Sequence, residues 1–152
     1  MTMMTSAGRL AVAELTDRAR VLAGRPDEWL SRVRLSAEGR WYERVHRDDS
    51  HEIWLISWLP GQATGFHDHG ESAGAFAVAL GGLEEHDIVG LRTVTAGQAR
   101  GFGPDYVHDV RNVASAPAVS VHVYSPPLAV MNRYERTVSG FVQLVREDAT
   151  DW

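Results

Sequence analysis

Two histidines separated by one residue follow the turn-forming pair Pro60-Gly61. On an extended strand, residues i and i+2 point to the same face and lie about 7 Å apart along the backbone. The imidazoles of His67 and His69 would therefore project side by side and could reach one metal ion. His108, which stands four residues before Asn112, is a candidate third ligand from a neighbouring strand.

Such a group of three histidines would bind a divalent metal ion without a carboxylate ligand. Imidazole suits zinc, copper, iron and nickel alike, so the ligand type does not select the metal. A structural zinc site usually closes its coordination with a fourth protein ligand, and the sequence offers none nearby. An open, catalytic metal site is therefore the favoured interpretation, although histidines in this spacing also occur by chance.

The segment 118–124 alternates between apolar and hydrogen-bonding side chains. Ser120, His122 and Tyr124 fall on one face of the predicted strand. Polar groups in such a row are costly to bury unpaired. This face therefore either meets water or forms a hydrogen-bonded relay, and the residues alone leave both interpretations open.

The composition excludes several kinds of chemistry. The 152 residues contain no cysteine and no lysine, which rules out disulfides, thiolate metal sites, cysteine nucleophiles and Schiff-base lysines. A net charge of −5 argues against nucleic acid as a partner. The sequence lacks a run of about 18 apolar residues, so no membrane span is predicted, and residues 1–8 lack the pattern of a signal peptide. We expect one soluble domain in the cytoplasm; the oligomeric state stays open, with a monomer as one option.

Helical periodicity dominates residues 1–39. Apolar residues recur at spacings of three and four between Val12 and Leu22, which predicts a helix that Gly24 ends. Pro26, followed by two acids, begins a second helix. The buried positions of this second helix would be Trp29, Leu30 and Val33.

Residues 40–146 show short apolar or alternating runs separated by Gly, Pro, Asp and Ser. This pattern is typical of a sandwich or small barrel of short strands. Trp54 and Trp58 stand four residues apart on one run, so they would share a face and pack in the core. Residues 147–152 are expected to form a loose tail. The expected strands are 53–59, 75–80, 91–95, 107–113, 118–124 and 141–145.

A longer pattern surrounds the three histidines. It runs Gly61-(x5)-His67-x-His69, then Gly81, then Gly97-(x10)-His108-(x3)-Asn112. This order resembles the two sequence motifs of the cupin superfamily. The resemblance implies a mainly β fold, a small β-barrel or double-stranded β-helix, with the N-terminal helices packed on it. The glutamate that cupins usually carry after the second histidine is missing, because Ala73 and Gly74 stand in its place.

Three separated segments narrow the resemblance: 41–44, 60–70 and 118–127. Together they resemble the cysteine dioxygenase (thiol dioxygenase) family of cupins over roughly residues 41–131. The implied ligands of a non-haem Fe(II) are His67, His69 and His108. The implied catalytic relay is Ser120, His122 and Tyr124. Ser125-Pro126 resembles the cis-peptide turn of the family.

The same resemblance implies how a substrate is held. Arg44 would grip the substrate carboxylate beside Tyr42, at an interval from the first histidine that is a few residues shorter than in animal members. Met131 stands where cysteine-specific bacterial members carry methionine, and relatives that prefer 3-mercaptopropionate carry arginine there. Gly74 stands where animal enzymes carry the cysteine that crosslinks to the tyrosine, so Tyr124 cannot form that crosslink.

The resemblance predicts an Fe(II)-dependent dioxygenase that oxidises L-cysteine to cysteine sulfinic acid with O2. A dioxygenase for 3-mercaptopropionate or another small thiol is the alternative within that class. A cupin that binds a metal or a ligand without catalysis is the alternative from another class. A zinc hydrolase on the same histidines is disfavoured, because no nearby Glu or Asp stands in a clear general-base position.

Overall fold

The computed structural model describes the backbone of residues 4–5 and residues 8–148 in full. Within this part of the chain, antiparallel strands predominate and the helices lie near the N-terminus. The helices are α1 (Val12–Ala23) and α2 (Pro26–Trp29). The strands are β1 (Met4–Thr5), β2 (Arg9–Leu10), β3 (Trp41–Arg47), β4 (Glu52–Trp58), β5 (His67–Asp68), β6 (Ala73–Leu80), β7 (Gly82–His86), β8 (Leu91–Thr95), β9 (Ala99–Phe102), β10 (Asp109–Arg111), β11 (Ala118–Ser125), β12 (Val130–Thr137) and β13 (Gly140–Asp148).

The strands form one large sheet and two smaller ones, besides the short pair β1-β2. The large sheet has the order β3-β4-β11-β6-β9, and the smaller sheets have the orders β10-β7-β8 and β13-β12-β5. Isolated bridges between Ala63 and Arg111 and between His67 and His108 connect the segment at β5 with the segment at β10. A mainly β fold with N-terminal helices is therefore confirmed.

Strand β11 runs between two apolar clusters. Its three valines pack with Leu15 and Ala19 of helix α1 on one face of the large sheet. On its other face, Tyr124 packs with Phe76 and Val110 between the sheets. Every residue of β11 is buried, so its polar face does not meet bulk water.

Helix α1 covers the large sheet with the apolar face that its spacing predicted. Leu15 and Ala19 have no exposed surface. The helix ends at Gly24, as the sequence predicted. The backbone N–H of Gly24 donates to the carbonyl of Arg20 at 3.1 Å, and that of Arg25 donates to the carbonyl of Leu22 at 3.0 Å. Within residues 8–148, neither helix is long and apolar enough to cross a lipid bilayer.

Helix α2 is shorter than its sequence suggested, because it ends at Trp29. Trp29 is buried as expected, and its indole N–H donates to the carbonyl of Ala23 at 3.2 Å. Val33 is partly buried, but the expectation for Leu30 is wrong, since this side chain is 61% exposed. The helical face that would have carried Leu30 inward is not continued beyond Trp29.

Most of the expected strands are present. The observed β4, β6, β8 and β11 lie within two residues of the predicted bounds 53–59, 75–80, 91–95 and 118–124. The expected strand 107–113 shrinks to Asp109–Arg111.

The strands that contain several charged residues were not predicted as well as the apolar ones. Strands β3, β7, β9 and β12 were not predicted, because charged residues interrupt their apolar alternation. Strand β13 continues to Asp148, so the first two residues of the expected tail belong to a strand. The rest of that expected tail, 149–152, lies outside the described residues.

The contact between α1 and β9 depends on a residue without a side chain. A Cβ at Gly101 would stand 2.7 Å from Cγ1 of Val12, which is closer than packed atoms approach. We predict that Gly101→Ala lowers the free energy of unfolding by about 1–3 kcal/mol, the usual cost of overpacking. Urea denaturation measures this change.

Gly103→Ala is the matched control for this prediction. A Cβ at Gly103 meets no atom within 4 Å, so we expect a change within about 0.5 kcal/mol. Equal stabilities of the two variants would contradict the close approach of helix and sheet.

Candidate active site

Three histidines converge inside the barrel because two backbone segments pair there. His67 and His108 exchange backbone hydrogen bonds of 2.9 and 3.0 Å, and His69 follows β5. All three side chains are buried. Between the histidines, Asp68 points to β12, where it accepts hydrogen bonds from Asn132 at 3.0 Å and from the Tyr134 hydroxyl at 2.5 Å.

The imidazole nitrogens of this group face one another. His67 Nδ1 donates to the carbonyl of Gly65 at 2.8 Å, which leaves its Nε2 free as a ligand. The Nε2 atoms of His67 and His69 lie 3.1 Å apart. One ligand nitrogen from each of the three histidines lies within 4.8 Å of the other two. The structure thus brings the three predicted ligands to one point.

The donor set fits a divalent metal ion. Burial lowers the pKa of His67 and of His69 well below the usual value, so both rings stay neutral, and neutral imidazole is the form that binds a metal. Nδ1 of His69 is buried and has no hydrogen-bond partner among the described residues. His67, His69 and His108 could therefore hold a metal ion, with no carboxylate in the group.

Glu85 is a residue of this site that our sequence analysis missed. It is completely buried, and its Oε2 accepts a hydrogen bond from His108 Nδ1 at 2.8 Å. Its Oε1 accepts hydrogen bonds from Arg92 and Arg100, both at 2.8 Å. This arrangement holds His108 with Nε2 free for a metal, as carboxylates do for histidine ligands in many metal sites.

Hydrogen bonding keeps Glu85 ionised. Burial alone would raise the pKa of this carboxyl, but hydrogen bonds from His108, Arg100 and Arg92 together lower it to about 2. The signal in the sequence was the alternation of β7, in which Leu83 and Glu85 share the buried face. An acid on the apolar face of a strand requires partners.

A buried chain of hydrogen bonds joins the three polar residues of β11. Ser120 Oγ lies 2.7 Å from His122 Nε2, and the Tyr124 hydroxyl lies 3.4 Å from His122 Nδ1. The indole N–H of Trp58 donates to Ser120 Oγ at 2.8 Å. Burial lowers the pKa of His122 to about 3 and raises the pKa of Tyr124, so both groups are neutral near pH 7.

A cavity of about 130 Å³ opens beside the histidines and the relay. Its size is close to that of an engineered cavity that holds benzene, so it suits a small molecule. Tyr42 and Met131, both expected to contact a substrate, line it. Its other lining residues are Arg40, Trp54, Ile56, Thr64, His67, His108, Val110, His122, Tyr124, Leu128 and Arg133.

The structure places Arg44 outside the lining of this cavity. The Arg44 guanidinium lies 3.7 Å from the carboxylate of Glu52 and packs over Trp54. Arg40, on the same face of the chain and four residues earlier, lines the cavity instead. In the register of β3 against β4, Arg44 pairs opposite Trp54.

Gly74 lies directly opposite Tyr124 in the pairing of β6 with β11. A Cβ at Gly74 would stand 2.6 Å from Cζ of Phe102 and 2.9 Å from Cδ1 of Tyr124. Phe102 therefore fills the space where a side chain would approach the tyrosine ring. The Ser125-Pro126 peptide beside β11 is cis, as the resemblance implied.

A second group of potential ligands lies on the hairpin between β3 and β4. One ligand atom from each of His46, Asp48 and His51 lies within 4.8 Å of the others. The group is already hydrogen-bonded internally, with His46 Nε2 2.8 Å from Asp48. The Arg18 guanidinium lies 3.5 Å from His51 Nε2, and this positive charge disfavours a cation.

The role of Glu85 in positioning His108 gives a testable prediction. We expect Glu85→Gln to weaken Zn(II) binding by about 10- to 100-fold, the range typical for loss of a group that orients a ligand. Competition with a fluorescent chelator measures this affinity.

Glu84→Gln is the matched control, because Glu84 neighbours Glu85 on β7 but bonds His86 at 2.8 Å instead. Its metal affinity should stay at the wild-type value. Equal affinities in the two variants would refute a role for Glu85 in holding the ligand.

Solved structures with a similar fold include a cupin and a protein with a double-stranded β-helix domain. A protein named TT1209 from Thermus thermophilus is 25% identical, with a TM-score of 0.60 over 64% of this chain and 94% of that one. An uncharacterised protein with a double-stranded β-helix domain from Klebsiella pneumoniae is 25% identical, with a TM-score of 0.59 over 66% of this chain and 80% of that one. A cupin from Desulfovibrio desulfuricans is 23% identical, with a TM-score of 0.59 over 65% of this chain and 93% of that one. The predicted cupin fold is confirmed.

The sequence also matches a family profile over most of its length. Residues 8–137 match cysteine dioxygenase type I. This range contains the three histidines, the relay on β11 and every described residue that lines the cavity. The chain therefore belongs to the cysteine dioxygenase type I family.

Proposed function

We propose that the protein is an Fe(II)-dependent thiol dioxygenase that converts a small thiol carboxylate, L-cysteine foremost, into its sulfinate with O2. The observation that carries this proposal is one small cavity that is lined by His67 and His108, two of the three convergent imidazoles, and by an arginine without an acidic partner among the described residues. The imidazoles suit a redox metal, and the arginine suits a carboxylate.

Arg40 is the proposed receptor for the substrate carboxylate. Its guanidinium lies 5.2 Å from the ring centre of Trp58, and within residues 8–148 it forms no ion pair. Burial, together with the positive charge of Arg133, lowers the pKa of Arg40. A carboxylate would relieve this unfavourable burial through the paired hydrogen bonds that arginine offers.

Arg133 is a weaker candidate for this role, although it lines the same cavity. It donates to the carbonyl of Thr64 at 2.8 Å and forms an ion pair with Glu147. Its charge is therefore already compensated within the protein.

The polar groups that line the cavity are compatible with two substrates, L-cysteine and 3-mercaptopropionate. No Asp or Glu lines the described cavity, so L-cysteine would have to bind with its amine neutral. 3-Mercaptopropionate carries the same thiol and carboxylate without an amine, which favours it as the second candidate. Met131 favours cysteine through the family resemblance, since relatives specific for 3-mercaptopropionate carry arginine there.

The reaction needs no additional reductant. Both atoms of O2 join the substrate sulfur, which is oxidised while dioxygen is reduced, and the thiol proton is released. When bound, Fe(II) would supply the redox chemistry that combines the sulfur with dioxygen.

The residues of the chain hold and shield the reactants. Arg40 orients the carboxylate, while Ile56, Val110 and Leu128 keep water away from the cavity. The Tyr124 hydroxyl, whose pKa burial raises, stays protonated and can donate a hydrogen bond to a reacting atom.

Oxygen consumption by the iron-loaded protein tests the proposal. Protein loaded with Fe(II) without air should consume O2 only when a thiol carboxylate is added, and both atoms of labelled dioxygen should appear in the sulfinate. A higher kcat/KM for cysteine than for 3-mercaptopropionate would identify the substrate. Metal binding without oxygen uptake on any small thiol would instead favour a non-catalytic cupin.

Arginine variants separate the two candidate carboxylate receptors. We expect Arg40→Gln to lower kcat/KM about 10- to 100-fold, chiefly through KM, because a charged hydrogen bond contributes about 1.5–3 kcal/mol. Arg44→Gln should change it much less, since Arg44 lies outside the lining of the cavity. The reverse order would return the role to Arg44.

A further inference from the structure

Trp58 ends the hydrogen-bonded chain of β11 on the side away from Tyr124. Its side chain has no exposed surface, as expected for a core residue, yet its indole N–H donates to Ser120 Oγ at 2.8 Å. An indole N–H can only donate. One end of the chain therefore has a fixed polarity.

Because the Trp58 indole can only donate, it determines the direction of the hydrogen bond between Ser120 and His122. Ser120 is completely buried, and within residues 8–148 its Oγ has Trp58 and His122 Nε2 as partners. Because Trp58 supplies a proton, the hydroxyl proton of Ser120 can be accepted by His122 Nε2. In the opposite arrangement, His122 Nε2 would donate to Ser120 and the Ser120 hydroxyl proton would be buried without an acceptor, which is costly.

The tautomer of His122 follows from this. A neutral imidazole that accepts at Nε2 carries its proton on Nδ1. Nδ1 then donates to the Tyr124 oxygen at 3.4 Å. The Tyr124 oxygen is thereby occupied as an acceptor from the protein side, and its own proton is left for an acceptor in the cavity that the tyrosine lines.

We propose that Trp58 is a positioning residue that sets the direction of the Trp58-Ser120-His122-Tyr124 chain, so that Tyr124 serves as a hydrogen-bond donor to the cavity. The consequence for catalysis rests on the proposed function, because the acceptor would be an atom of the thiol substrate or of dioxygen. The direction of the chain does not rest on it. Trp58 also packs under the Arg40 guanidinium, so one indole supports both the carboxylate receptor and the donor.

The tautomer of His122 tests the proposal directly. Protein labelled with ¹⁵N-histidine is studied by NMR without any metal, and the His122 signals are assigned by their loss in His122→Gln. We expect the tautomer protonated at Nδ1. The tautomer protonated at Nε2, or an equal mixture of the two, would overturn the proposal.

Trp58→Phe tests the part played by the indole. Without its N–H, either direction of the chain leaves one group of Ser120 unpaired, so we expect the Nε2-protonated form to become measurable. Trp54→Phe is the matched control, because the Trp54 N–H is buried and has no partner among the described residues; its spectrum should keep the wild-type tautomer. An unchanged tautomer in Trp58→Phe would overturn the role of Trp58.

The outcomes remain informative if a variant fails to fold or if the enzyme proposal fails. The wild-type spectrum decides the direction of the chain without any variant. Nδ1 protonation in a protein that oxidises no thiol would refute the proposed function and leave the direction intact. Nε2 protonation in an active thiol dioxygenase would refute the proposed direction of the chain and leave the proposed function intact.

Discussion

A buried polar group must have a partner, and this constraint organises the interior of the protein. The barrel encloses histidines, a serine and a glutamate at positions with almost no exposed surface. Each hydrogen bond that they make fixes which atoms remain free. Gly65 and Glu85 occupy one nitrogen each of His67 and His108, which leaves the opposite nitrogens to converge. The metal-binding capacity of the site is therefore a consequence of how its other hydrogen bonds are satisfied.

The same constraint links the site to the sheets around it. Glu85 lies in the sheet β10-β7-β8, and it accepts hydrogen bonds from Arg92 on β8 and Arg100 on β9. Those guanidinium groups compensate the buried negative charge, so the carboxylate can hold His108 without losing stability to an unpaired ion. Strands from two sheets thus share one ionic cluster behind the histidines.

Close packing sets the other boundary of the site. Phe102 occupies the space beside Gly74 and stacks on the His69 ring with centroids 5.1 Å apart. The Tyr124 ring lies 4.9 Å from the same imidazole. Aromatic rings pack against His69, whose Nδ1 has no hydrogen-bond partner among the described residues. His67 and His108 are in addition held by hydrogen bonds to Gly65 and Glu85. Two different kinds of contact therefore orient the three histidines.

The residue pattern by itself was sufficient to predict the mainly β fold, the main strands and the alternating polar face of β11. It also identified the three histidines as candidate ligands of one metal ion. These features depend on local spacing, since strand periodicity places residues two apart on one face. Residue spacing did not identify Glu85 as a residue of the site, because its neighbours Glu84 and His86 are also polar and its partners come from other strands.

Only the tertiary structure showed that Arg40, and not Arg44, lines the cavity. Only the tertiary structure showed that Ser120, His122 and Tyr124 are buried and do not face water. Both features depend on which strands pair and in what register. Arg40 lines the cavity, whereas Arg44 pairs opposite Trp54 and does not line it. Helix α1 and the opposing sheet cover the two faces of β11. Contacts between residues distant in the chain carry this information, because backbone pairing and burial are properties of the assembled sheets.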